Sequence, residues 1–580
     1  MEGTPKIMYT CPTRICTYLV AFSLIALLSF LTYSPTISLA CNATRFPVAC
    51  NVSLSAVDPR TFKSSAKDLT TIAVTAATQA VSQTLSSSLS LMNMSENSEI
   101  SGINATLASK LVDCFPLLNL SLGLLHESFY QLDSSSMDLS SLHLVFQDIK
   151  TWISGALTFY TTCTDAFNLL DNSTDDDHAA AFNVQIQQQS EVTFQLLSNA
   201  LSFVNALALF GNDLRSWKPS FFQTHVQKLT ISFPTWLSPA DRRLLLAVDS
   251  WSANVTVAQD GSGDYNTIQQ AVDAAAAAAS SSSGNSNSSS SKPAAAALRY
   301  VIHIKEGIYH EIVRVSTPFL IMLGDGINKT IITGNRSATD PSMSTYQSAT
   351  FGVTGKGFIA KGITFQNTAG AIAHQAVALR VSGDQSAFWQ CSFDGFQDTL
   401  YTHALRQFYF GCTIYGTVDF VFGNAAAVLQ NCTLLARPNL QGQENVYTAQ
   451  GRTDPGQNTG FVLADCIIGG TPDLLPQSQL FPTFLGRPWK LYSLTVYINS
   501  TISGIVNPSG WLPWSGNFAL DTLYFAEYES QGPGANPQAR VNWSTQITDP
   551  SELAKFSVNN FLNAQEWLLP DTTSPLYPDM

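Results

Sequence analysis

The sequence predicts two folded units of different class, an N-terminal all-α four-helix bundle and a C-terminal all-β parallel β-helix, and three observations carry that prediction. At 580 residues the chain is too long for one ordinary core. Residues 41–225 repeat apolar side chains at helical intervals, as in Leu107, Leu111, Cys114 and Leu118 or Ile149, Ile153, Leu157 and Tyr160. Farther on, Cys391, Cys412 and Cys432 stand 21 and 20 residues apart, opening the similar phrases CSFDG, CTIYG and CTLLA, which return more loosely as CIIGG at 466 and STISG at 500. A β-rich period of about 20 residues, punctuated by Gly and Asn, fits one solenoid coil per repeat better than a helical repeat.

In chain order, residues 1–40 read as a secretory signal peptide: Lys6 and Arg14, the apolar stretch Tyr18 to Leu31, then the small-residue site Ser38-Leu39-Ala40. The uncharged run from Ile15 to Tyr33 approaches the ~20 residues that span a bilayer, which leaves a signal anchor and a membrane-anchored precursor open. Glycosylation sequons at Asn42, Asn51, Asn104, Asn119, Asn254 and Asn431 agree with the secretory route. Of ten cysteines, Cys11 and Cys16 would leave with the signal, and the others can pair in an oxidising compartment. Across 41–225, breaks such as Asp171 to His178 separate segments that would form four bundled helices. Cys41 and Cys50 can staple a small hairpin there, and Cys114 and Cys163 can tie two helices.

Residues 226–253 form a linker in which Asp241-Arg242-Arg243-Leu244-Leu245 stands out, although a dibasic pair is usually ordinary surface charge. The second unit, 254–580, opens with an alternating strand, a turn at Asp260 to Gly263 and a helix begun at Thr267 to Ala274 that can cap a solenoid end. Residues 274–297, rich in Ala and Ser, read as a flexible surface insertion. Short alternating runs such as YVIHI, FLIML and TIITG follow, and a segment from about Asp549 is expected to cover the far end as a helix.

Composition narrows the function. Hydrophobic residues make up 45% and charged residues 12%, the net charge is −13, and no basic run is present, which excludes a nucleic-acid binder. His303, His310, His374 and His403 lack zinc-site spacing, so neither a metal nor a cofactor is expected. Gln375, the pair Gln397 and Asp398, and Asp419 keep the solenoid's beat, so they would stack on neighbouring coils ~4.8 Å apart. Two carboxylates in a shielded groove do not both ionise, which makes one an acid and the other a base. Polar side chains at equal coil positions also form ladders that merely hold a solenoid together, and spacing alone leaves both readings standing.

The blocks GIYHE at 307–311, QAVAL at 375–379, QDTL at 397–400, DFVFG at 419–423 and LGRPW at 485–489 resemble the consecutive signature blocks of the plant pectin methylesterases. CNATRFPVAC at 41–50 resembles the opening of the pectin methylesterase inhibitor family, with Phe46 where that family usually has Tyr. The resemblance implies a precursor: an inhibitory or folding pro-region, a site cut by a subtilisin-like protease at Arg242 and Arg243, and a right-handed parallel β-helix that hydrolyses methyl-esterified homogalacturonan. It implies Asp419 as nucleophile, Asp398 as acid and base, Gln397 and Gln375 as oxyanion donors, and Arg487 as the cation that keeps Asp419 ionised. Trp489, Trp514, Tyr401, Phe422, Thr345 and Tyr346, with Gln375 and Arg487, match positions lining the family's sugar groove. Cys412 and Cys432 match a family disulfide, while Cys391 and Cys466 are expected as buried thiols. The expected protein is a secreted cell-wall monomer, with a proteinaceous pectin methylesterase inhibitor as a further partner. Pectate lyases and polygalacturonases share the fold type and the polymer, but neither mechanism requires paired Gln donors. A chain acting only as an inhibitor would use the N-terminal unit alone.

Overall fold

The computed structural model describes residues 35–56, 65–96, 105–134, 139–165, 177–218, 252–283, 299–564 and 567–568. The leader through Tyr33 and the Arg242-Arg243 linker lie outside these residues.

The N-terminal unit is a hairpin of two short helices, α1 (Pro35–Cys41) and α2 (Pro47–Ser55), set on four long ones: α3 (Ala66–Glu96), α4 (Ala105–Ser134), α5 (Leu139–Asp165) and α6 (Asp177–Phe210). The i, i+3, i+4 apolar stripes face one another, so Leu118, Leu125, Ile153, Leu157, Tyr160 and Leu201 share one core. Both expected bundle disulfides, Cys41–Cys50 and Cys114–Cys163, are formed. Helix α1 begins inside the stretch assigned to the leader, because Ile37 and Ala40 pack into the bundle core. Gln187–Phe210 of α6 is long and apolar enough to cross a membrane by length and composition, but it packs as a core helix of this bundle.

The C-terminal unit is a solenoid of three parallel sheets with eleven, seven and eight strands among the described residues. Each coil contributes one strand per sheet, as Ser386–Trp389, Ser392–Asp394 and Leu400–Thr402 do in turn. The twenty-residue beat has a backbone cause. Gln390, Gly411, Asn431, Asp465 and Asn499 turn a corner in the left-handed region, with φ from 48° to 61°, and Cys391, Cys412, Cys432, Cys466 and Ser500 follow, buried.

Three expectations need correction. Cys412 and Cys432 are free thiols, not a disulfide, as are Cys391 and Cys466. In-register parallel strands carry their Cβ atoms ~4.8 Å apart, beyond the ~3.5 to 4.5 Å that a disulfide requires, although the Cα spacing is acceptable. Each thiol instead donates to a backbone carbonyl two residues earlier, Cys412 to Phe410 and Cys432 to Gln430. The Ala/Ser-rich insertion is helical at its start, since Ile268–Ser283 is one helix, as an alanine run favours. The C-terminal segment does not close the end of the solenoid: Leu553, Phe556 and Leu562 pack on the outer face of the eleven-stranded sheet, against Ala426, Val428 and Val462.

Candidate functional site

The seven-stranded sheet forms the floor of the site. In the strands Leu379–Val381 and Leu400–Thr402, alternate side chains point inward, Leu379, Val381 and Leu400 joining the solenoid core. The outward positions then stack in register as a column: Arg314, Gly352, Arg380, Tyr401, Phe422, Ala449 and Arg487. Tyr401 and Phe422 stack with ring centroids 4.2 Å apart, and Trp489 meets Phe422 edge-on at 5.9 Å.

Gln375, Gln397, Asp398 and Asp419 sit in the turns that feed this sheet. Backbone bonds join their coils, Ala376 N to Gln397 O and Asp398 N to Val418 O. Asp398 and Asp419 both hold left-handed backbone, with φ of 62° and 51°, a costly conformation for a residue with a side chain. Both are buried, while Gln375 and Gln397 are half-buried. Arg487 grips Asp419 bidentately, Nε to Oδ1 at 2.8 Å and Nη2 to Oδ2 at 2.7 Å, and its guanidinium lies 4.5 Å from the Trp514 ring centroid. Asp398 has no ion-pair partner among the described residues.

The two carboxyl groups are therefore unequal. Burial pushes Asp398 well above the usual carboxylate range, the Asp419 charge adds to this, and Arg487 only partly offsets it. Burial also raises Asp419, but the hydrogen bonds and charge of Arg487 oppose the rise. Asp398 is thus fitted to hold a proton and Asp419 to stay ionised. Thr345 opens the short helix Thr345–Ser348 at the cleft edge, and the Tyr346 ring lies under the Arg380 guanidinium. Trp514 is 37% exposed, at the opposite rim. No group of His, Cys, Asp and Glu suited to a metal ion occurs among the described residues.

Sequence reasoning missed what lies over this floor. The bundle docks on it, and Tyr346, Tyr401, Leu405, Phe422 and Ala449 share a single apolar cluster with α3 to α6. A β-carbon at Gly155 of α5 would stand 2.4 Å from Leu405 Cδ2, so any larger residue there would make the leucine shift. Around the apolar contact runs a polar rim. Asp148 pairs with Arg406 at 2.6 Å, Asp165 with Lys490 at 2.8 Å, and Asp454 with Arg45 at 2.8 Å. Asp113 accepts from Ser344, and Thr162 meets His403 Nε2 at 2.8 Å. His403, expected in a core or surface role, lies buried between the two units, with Ser382 Oγ 2.9 Å from its Nδ1. Burial, then the Arg380 charge, holds it well below its usual pKa. Charge patterning in α4 and α5 gave no clear signal, since those helices also carry Lys110, Glu127, Asp133 and Lys150 beside Asp113, Asp148 and Asp165.

Comparison with known families matches residues 254–565 to Pectinesterase and residues 35–203 to Plant invertase/pectin methylesterase inhibitor. Pectinesterase 2 of Arabidopsis thaliana is 40% identical over 543 residues, covering 91% of this chain and 87% of the relative. Pectinesterase 1 of Citrus sinensis is 39% identical over 539 residues, covering 91% and 86%. Among solved structures, pectin methylesterase from carrot is 48% identical and covers 57% of this chain and 98% of its own, with a TM-score of 0.52.

Proposed function

The chain belongs to the pectinesterase family, and from that premise we propose that it hydrolyses the methyl esters of homogalacturonan through Asp419 and Asp398, under the control of its own helical bundle. One observation carries the reading: the bidentate Arg487–Asp419 pair stands one coil from a buried, unpaired Asp398.

Asp419 attacks the C6 carbonyl carbon of a galacturonate methyl ester. The oxyanion formed takes hydrogen bonds from the Gln375 and Gln397 amides, each such donor lowering the barrier by ~3 kcal/mol. As the C–O bond breaks, Asp398 gives its proton to the departing methoxide and methanol leaves. An acyl-enzyme remains on Asp419. Asp398, now a carboxylate, takes a proton from water, whose hydroxide adds to the acyl carbon and frees Asp419. The products are methanol and a free galacturonate, and Asp398 has regained its proton. Tyr401, Phe422 and Trp489 offer ring faces to the sugars.

The docked bundle lies on the sheet that would receive the polymer, so the whole chain is the inactive form and a cut in residues 226–253, at Arg242-Arg243, is the first step of release. The substrate is pectin, a wall polymer, which supports secretion to the cell wall; the protein acts there as a monomer after leader removal. A direct test is to insert a specific protease site in 226–253, cut the folded protein, separate the bundle, and measure methanol release from citrus pectin. Release is expected only after separation; none at all would remove the esterase reading, and equal release before cutting would remove the inhibitory one.

A further inference from the structure

The turn that delivers two of the proposed reacting groups is held from outside the cleft. Gln397 and Asp398 lie between the strand Ser392–Asp394 of the eight-stranded sheet and the strand Leu400–Thr402 of the seven-stranded one. Along the eight-stranded sheet, Ile332, Phe365 and Phe393 point into the solenoid core, so their neighbours Thr333, Gln366 and Asp394 face outward and stack in register. They form one hydrogen-bonded row. The Thr333 hydroxyl donates to Gln366 Oε1 at 2.9 Å, and Gln366 Nε2 donates to Asp394 Oδ2 at 2.9 Å. Arg437 closes the row from two coils further on, its Nη1 donating to Asp394 Oδ1 at 2.5 Å.

The same guanidinium also reaches the turn. Its Nη1 donates to the carbonyl of Gly395 at 3.0 Å, and its carbon lies 4.3 Å from the centroid of the Phe396 ring. Gly395 and Phe396 directly precede Gln397 and Asp398. The backbone of Arg437 is fixed in turn: its N–H donates to Gly416 O, on the coil that carries Asp419, and its carbonyl accepts from Asn445 Nδ2 at 3.1 Å. Arg437 thereby ties the coil of Asp398 to the coil of Asp419. The turn needs such a hold, because Asp398 is in left-handed backbone, which a residue with a side chain keeps only where its surroundings impose it. Arg437 and Asp394 are 27% and 26% exposed, and a partly exposed ion pair adds little to stability. Its effect is on direction.

We propose that Arg437 is a positioning residue for ester hydrolysis: through Gly395 and Phe396 it aims the Gln397 amide and the Asp398 carboxyl, while Thr333, Gln366 and Asp394 hold its guanidinium still. The effect on hydrolysis rests on the esterase reading above; the hold on the turn does not.

The experiment uses the full chain, cut in residues 226–253 after folding and freed of its bundle, as wild type, R437Q, R437K and D394N. Methanol release from citrus pectin is followed across pH, and amide hydrogen exchange by mass spectrometry. R437Q is expected to lower kcat by between about tenfold and a hundredfold, as a small displacement of reacting groups predicts, with KM kept within about twofold. Burial is the first cause that holds Asp398 protonated, and the charges that also act on it, those of Asp419 and Arg487, are untouched in R437Q. A loosened turn that admits water lowers the proton affinity of Asp398, so the basic limb of the pH–rate profile moves to lower pH. R437K, which keeps the cation but not the fork, is expected to recover part of kcat. D394N leaves the bond to Gly395 O and should fall between wild type and R437Q. The peptide covering 395–400 is expected to exchange faster in R437Q, and peptides of the eleven-stranded sheet at the wild-type rate. Wild-type kcat and an unmoved basic limb in R437Q would overturn the positioning role and leave the esterase reading standing. Faster exchange throughout the solenoid would assign Arg437 to stability alone and overturn it too. A wild type that releases no methanol would remove the esterase reading and the positioning role with it, and unchanged exchange at 395–400 would overturn the hold on the turn.

Discussion

The bundle and the solenoid treat cysteine in opposite ways, and the difference separates the unit proposed to detach from the one that carries the proposed chemistry. In the bundle, contacts run between a few long helices, and two disulfides fasten the hairpin and the α4–α5 pair. In the solenoid, each coil is fixed by parallel strands above and below it, and four thiols stand unpaired in the core. Covalent cross-links strengthen the unit whose own core is small. The solenoid, with three continuous sheets, dispenses with them. Function divides along the same line: the proposed reacting groups all belong to the solenoid, and the bundle contributes Asp148 and Asp165, which pair with the solenoid's Arg406 and Lys490.

That contrast can be broken most severely at the reacting carboxylates. Asp419→Ala in the cut protein is expected to lower kcat at least a thousandfold, about 4 kcal/mol of barrier, with the solenoid's melting temperature nearly kept; methanol release at the wild-type rate would move the nucleophile elsewhere. The cysteine comparison is tested next. Cys114→Ser opens a bridge between residues 49 apart, for which loop-closure entropy gives a loss near 4 kcal/mol in bundle stability. Cys412→Ser should cost about 1 kcal/mol or less, because Ser500 already occupies the equivalent corner and donates to Ile498 O as the thiols do to theirs. Urea unfolding of each variant under non-reducing conditions decides the point, and similar losses in both would erase the contrast.

A smaller effect is expected at Arg487. Replacing it with Gln removes the cation that favours ionised Asp419, so Asp419 rises further and needs a higher pH to ionise. The acid limb of the pH–rate profile should therefore move to higher pH while kcat drops about a hundredfold, ~2.7 kcal/mol. A drop with no movement of that limb would reduce Arg487 to a substrate contact. The smallest effect concerns docking. Asp148→Ala leaves Arg406 paired with Asp384, and Asp148 itself is 24% exposed. The loss in bundle affinity for the cut solenoid is expected to be about 1 kcal/mol, roughly fivefold in Kd by titration calorimetry. A hundredfold loss would show that the rim, not the apolar contact, holds the units together.

Much of the solenoid was legible because its repeat is local. A left-handed corner followed by a small buried residue recurs after 21 and 20 residues from Gln390 to Asn431 and after 34 on each of the next two coils, and the cysteine beat reports it. The same beat brought Gln375, Gln397, Asp398 and Asp419 onto successive coils. Pairing of Cys412 with Cys432 was misread because sequence spacing reports Cα register and says nothing of the Cβ separation that a sulfur bridge must span. The reach of the helix into the insertion was missed because serine-rich composition was weighed above the preceding alanine run. Arg380 passed unnoticed just after a signature block, as nothing in QAVALRV tells that its arm converges with that of Arg314, 66 positions earlier.

By itself, the sequence determined the two fold classes, the coil period and the residue types at the site, and offered Cys41 with Cys50 and Cys114 with Cys163 as candidate partners, since local periodicity and residue order are legible without coordinates. Only the tertiary structure decided that Asp398 is buried without an ion-pair partner among the described residues while Arg487 grips Asp419, that the bundle rests on the floor of the cleft, and that Asp113 is buried there against Ser344. Those properties depend on burial and on charges brought together from distant parts of the chain, and desolvation and Coulomb energy are set by distance in space, not along the sequence.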